Sequence, residues 1–83
     1  REIKAEKQLI VTVTDKNKIY VNKRSVKKES LEKELSVLLS HMSDKIVVLR
    51  ADAGVKHGLV VELLDDARAA GAEKLAIATE NKK

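Results

Sequence analysis

The sequence predicts a small α+β domain: a mixed sheet built in the order β-β-α-β-α-β, with two helices packed on one face. Three observations predict it. Two apolar stripes recur at helical spacing, Leu31, Leu35, Leu38 and Leu39 in one and Val60, Leu63, Leu64 and Ala67 in the other. Four short runs have strand character, LIVTVT at 9–14, IYV at 19–21, KIVVLRA at 45–51 and LAIAT at 75–79. The 83 residues contain no Cys and no Pro, so aliphatic packing alone must hold the domain together.

Residues 1–8 are polar and aperiodic and read as a linker. In residues 9–14, Leu9, Val11 and Val13 point one way and Ile10, Thr12 and Thr14 the other, which is the alternation of a strand. Asp15, Lys16, Asn17 and Lys18 form a turn, because Asp bonds its own backbone and Asn tolerates a left-handed conformation. The run at 19–21 returns, making 9–22 a hairpin. A helix over 28–41 follows from its stripe, with Glu29, Glu32 and Glu34 in the early turns favouring the helix dipole. Ile46, Val47, Val48 and Leu49 do not alternate, which predicts a central strand covered on both faces.

Gly54 and Gly58 bracket a loop, with Gly58 allowing a close approach where the second helix starts. That helix runs over about 56–70 and ends at Gly71, a natural C′ residue. The last strand covers 75–79, and 81–83 is a solvated tail. Right-handed crossovers make the third and fourth strands parallel and put both helices on one side. Four strands leave two edges. The terminal one is expected at an edge, where the uncharged row Leu75, Ala76, Ile77, Ala78 and Thr79 invites pairing with another chain.

A chain of this length buries only about two-thirds of its unfolded surface, and a net stability of roughly 4–12 kcal/mol is expected. Long catalytic loops or a large enclosed cavity would be hard to support. No window offers the 18 apolar residues of a membrane-spanning helix, and no apolar block follows the basic N-terminus as in a signal peptide. The chain opens at Arg1, which suggests that it was cut from something longer.

The net charge of +4 is concentrated early, with nine Lys/Arg against three Asp/Glu in residues 1–28 and eight against ten in 29–83. Lys23, Arg24, Lys27 and Lys28 form the densest cluster, a possible patch for an anion or a partner. A solvated hairpin end and helix start explains it better than nucleic acid, for which one aromatic residue, Tyr20, makes no stacking platform.

No catalytic constellation is present. His41 and His57 lie sixteen residues apart without further ligands, so no metal is expected. Glu62, Asp65 and Asp66 share a helix whose neighbouring Leu63, Leu64 and Ala67 face the core, which reads as its wet side rather than as acid–base machinery. The stretch from Gly54 to Gly58 matches neither a P-loop nor a dinucleotide fingerprint. Arg50, in an otherwise apolar strand, either snorkels outward or pairs with Asp52 and a nearby carboxylate, structural pairing being favoured over ligand contact. The expectation is a non-enzyme without a cofactor.

The ordered series Ile46 to Asp52, then Val55, Gly58, Val60 to Asp65, Ala67 to Gly71 and Lys74 to Glu80 resembles the periplasmic domain of the ExbD/TolR biopolymer-transport proteins. Upstream, Ile19 to Asn22 and Val26 to Leu31 agree with the same pattern, so the resemblance covers about residues 9–80. Two positions depart from it. Asn17 stands where the family often has Gly, and Lys27 stands where Ser or Thr often caps the helix, leaving Ser25 to cap or the first turn to fray.

The resemblance implies a single-pass inner-membrane subunit of which residues 9–80 are the periplasmic domain and 1–8 the linker from an N-terminal helix. That helix would carry a proton-responsive aspartate inside an ExbB/TolQ-like channel. It further implies a homodimer that passes the protonmotive force to a TonB/TolA-like protein. The alternative is a basic module for anions or peptidoglycan.

Overall fold

The computed structural model describes residues 8–80. Seven elements follow one another: β1 (Leu9–Val13), β2 (Ile19–Val21), β3 (Arg24–Val26), α1 (Lys28–Leu39), β4 (Ile46–Asp52), α2 (His57–Ala69) and β5 (Lys74–Glu80). They build one five-stranded sheet in the order β3-β2-β1-β4-β5. Strands β1, β4 and β5 are parallel, while β2 and β3 meander back antiparallel from β1. The α+β architecture is therefore as predicted, with one strand more. The N-terminal linker and the tail at 81–83 fall outside the described residues, apart from Gln8.

Alternation decides which face is covered. Leu9, Val11 and Val13 of β1, Ile19 and Val21 of β2, and Val47, Leu49 and Ala51 of β4 all lie under the helices in one core cluster. Against them pack Leu31, Leu35 and Leu39 of α1, none with any exposed surface, and Leu63 and Ala67 of α2. No charged or polar residue is buried among those described.

Three expectations are corrected. Residues 24–26, read in the sequence as a hairpin end and helix start, form a strand, because Asn22 adopts φ 57° and lets Asn22 and Lys23 turn the chain back so that Arg24 pairs opposite Val21. The Asn22 N–H donates to the Ile10 carbonyl at 2.7 Å while its side-chain Oδ1 accepts from the Ile10 N–H at 3.2 Å, pinning this second turn to β1. Strand β4 is covered on one face only: Ile46 and Val48 are half-buried and Arg50 is exposed, since both helices take the same side. The close approach at Gly58 is absent, for a Cβ built there would meet nothing within 4 Å.

Two turn expectations hold. Asn17 sits at φ 65° in the β1–β2 turn. Gly71 sits at φ 115°, donating its N–H to the Arg68 carbonyl at 3.1 Å while the Ala72 N–H reaches the Ala67 carbonyl at 3.1 Å. This double bond pattern is the Schellman closure of a helix.

Candidate functional site

Strand order makes β5 an edge. It pairs with β4 along seven register positions from Ile46 and Lys74 to Asp52 and Glu80, and its other flank has no strand beside it among the described residues. Leu75 and Ile77 stand opposite Val47 and Leu49 and so share their helix-side face, while Ala76 and Ala78, opposite Val48 and Arg50, share the bare face. Thr79 pairs opposite Ala51. Leu75 packs against the core, yet Ile77 remains 54% exposed.

Helix α2 leads into this strand. Its Glu62 turns toward α1, where the carboxylate meets Lys28 Nζ at 2.9 Å. With 3.6 residues per turn, Val60 and Leu64 lie on the side of α2 away from Glu62, both half-buried, while Val61 turns outward. Val61 is 42% exposed. Ile77 of β5 and Val61 of α2 are thus both exposed apolar side chains, and the helical stripe in the sequence signalled only Val61's neighbours Val60 and Leu64.

The basic cluster is divided rather than assembled. Arg24 opens β3 and reaches Glu34 on α1 at 3.4 Å; Lys28, the first residue of α1, pairs with Glu62; Lys27 is the N-cap and supplies no side-chain cap. Lys23, in the turn before β3, instead lines a shallow groove of about 580 Å³ on the bare sheet face with Ile10, Thr12, Asn22 and Arg50. Arg50 stands in register between Thr12 and Ala78. Asp52 shares its strand but holds its carboxylate toward the hairpin, accepting the Asp15 N–H at 3.3 Å. Across the five strands the bare face thus carries the row Ala78, Arg50, Thr12, Tyr20 and Ser25.

A second opening, of about 470 Å³, lies where the β1–β2 turn meets the starts of both helices. Ile19 and Leu59 form its apolar wall, Gly58 borders it, and Lys28, Lys56 and Glu62 stand at its rim beside Asn17. Among the described residues, no group of three or more His, Asp or Glu could hold a metal, and no helix is long and apolar enough to cross a membrane.

The Lys28–Glu62 pair makes a pH prediction. Hydrogen bonding to Glu62, then its charge, raises the Lys28 ammonium above its ordinary 10.5; desolvation opposes this, and Asp66 and Glu29 add smaller upward pulls. A raised folded-state value means that the pair stabilises the fold below the ordinary lysine range and loses that contribution as pH climbs through the raised value. Glu62→Gln should return Lys28 to the ordinary range, as followed by NMR titration of its Cε and Nζ signals between pH 9 and 12, about the span where lysine deprotonates. Both groups are exposed, so the effect on stability should be small and should shrink with salt.

Fold and surfaces together define a small two-layer α+β module with sheet edges at β3 and β5 and one bare sheet face. The chain belongs to the ExbD/TolR family: residues 1–82 match the family described as "Biopolymer transport protein ExbD/TolR". It is 36% identical over 72 residues to the "Biopolymer transport protein exbD2" of Vibrio cholerae, covering 87% of this chain and 54% of that protein. Over 71 residues it is 32% identical to the "Biopolymer transport protein ExbD" of Pseudomonas aeruginosa, covering 86% of this chain and 53% of the relative. The chain therefore spans about half the length of the curated relatives it matches, and the family's business is biopolymer transport.

Proposed function

We propose that this chain is the periplasmic domain of a protonmotive-force-driven inner-membrane complex of the ExbB–ExbD–TonB or TolQ–TolR–TolA type. In this reading a preceding membrane helix joins it to an ExbB/TolQ-like subunit, and the domain dimerises and couples proton flow to a TonB/TolA-like partner. The observation that carries the reading beyond family membership is the open β5 edge. Its main-chain N–H and C=O groups supply pairing along one side, and the exposed Ile77 supplies apolar area on the strand itself. Leu9, Ile46 and Lys74 begin the three parallel strands at one end of the sheet, so a tether entering at β1 leaves the helix starts and the hairpin tip at the other.

Sedimentation over a concentration series tests the reading. The chain should dimerise, and Ile77→Lys, which places a charge on β5 without touching the buried core, should weaken the dimer and partner binding at least tenfold, on the order of 1.4 kcal/mol. Unchanged association of a folded Ile77→Lys protein would remove β5 from the interface. The exposed Lys23 at the rim of the bare-face groove favours a second and compatible reading, an anionic surface such as peptidoglycan. Cosedimentation with purified sacculi checks it, with Lys23→Glu expected to reduce retention.

A further inference from the structure

We propose that the opening between the hairpin tip and the helix starts is a second docking site, for a short acidic peptide segment of a partner protein. The segment would seat one aliphatic side chain against Ile19 and Leu59 and a neighbouring carboxylate at Lys56. It shares no residue with β5 and stands whether or not β5 pairs.

Gly58 is the first part of the argument. It lies within the first turn of α2 at an ordinary helical backbone angle, where glycine is the poorest helix former after proline. A Cβ there would collide with nothing, so neither strain nor packing within the molecule accounts for a missing side chain. Gly58 borders the opening, and the free space round its Cβ position leaves a larger side chain there room to enter it. Glycine therefore weakens the helix and keeps the site accessible.

Chemistry of the walls and rim selects the occupant. Ile19 belongs to the core cluster and Leu59 packs on it half-buried, a fixed apolar wall. At the rim Lys28 and Glu62 neutralise one another at 2.9 Å, whereas Lys56 is exposed and has no ionic partner among the described residues. The site is thus net positive over an apolar wall, complementary to an aliphatic residue next to Asp or Glu. About 470 Å³ accepts a few side chains rather than a folded domain.

The test titrates isotope-labelled protein with the peptide acetyl-Leu-Glu-Leu-Asp-amide, its neutral Gln/Asn analogue and its Gly-for-Leu analogue, reading amide shifts. The acidic peptide should move the signals of Asn17, Ile19, Gly58 and Leu59 with millimolar affinity, and each analogue should bind at least fivefold more weakly. Gly58→Leu, which fills the space, should abolish these shifts, and Lys56→Glu should weaken them at least fivefold, while Ile77→Lys leaves them intact. Gly58→Ala should raise Tm by about 2–4 °C and yet reduce binding, a combination that a merely structural glycine would not give. No shift at these amides up to about tenfold above millimolar, equal binding of the neutral analogue, survival of the shifts in Gly58→Leu, or shifts that follow protein concentration without peptide would each overturn the proposal.

Discussion

Leu35→Ala should cost about 3 kcal/mol and lower Tm by roughly 12–24 °C, measured by calorimetry or urea titration. Leu35 has no exposed surface, and it is the middle of three leucines that α1 lays on the sheet, with Leu31 one turn before and Leu39 one turn after. The flanking leucines hold the helix in place, so the surroundings cannot collapse into the gap and a cavity term adds to the lost transfer energy. Against a total of roughly 4–12 kcal/mol for a chain of this length, that loss removes a quarter or more of the stability. Leu38→Ala, one residue from the same stripe but only partly buried, should cost less than half as much. Equal costs at the two positions would mean that α1 does not sit as described.

The contrast between Leu35 and Leu38 also shows why so much of the fold was legible. Period and burial are one physical fact seen twice: residues that recur every turn must share a face, and a face without polar atoms must be covered. The same logic placed Leu9, Val11 and Val13 under the helices and left Ile10 and Thr12 outside. It failed at β4, where Ile46 to Leu49 are continuously apolar. An uninterrupted run predicts cover on both sides, yet the bare face tolerates half-buried Ile46 and Val48 because β1 and β5 flank them and Arg50 follows in the same row.

Strand β3 was illegible for a different reason. Three residues give no period, and Arg24-Ser25-Val26 sits inside what composition presents as a single basic cluster. The available signal was Asn22, a residue suited to a left-handed turn, directly after the apolar run at 19–21. Once the chain turns there, the cluster cannot remain one patch. Lys23 stays on the bare face, Arg24 meets Glu34 and Lys28 meets Glu62, so charge density along a sequence did not translate into charge density in space. The edge position of β5, by contrast, followed the expectation for a terminal strand. The exposure of Val61 carried no signal of its own, since it lies just outside the stripe that marks the buried side of α2.

Gly71→Val should destabilise the domain by about 2–3 kcal/mol, whereas a new side chain at Gly58 should not destabilise it at all, and the pair tests the local reading of both glycines. At Gly71 a Cβ would find open space, so crowding is not the objection. The objection is φ 115°, a region closed to residues with a Cβ and most firmly to β-branched ones. Avoiding it would require breaking the bonds from Gly71 and Ala72 to the Arg68 and Ala67 carbonyls, which close α2. Those bonds set the path by which the chain leaves α2 and enters β5, where the Glu73 and Lys74 N–H groups both donate to the Lys45 carbonyl. Loss of the closure should therefore appear as faster amide exchange at the start of β5 as well as at the end of α2. Exchange confined to α2 would show that the start of β5 is held by β4 alone.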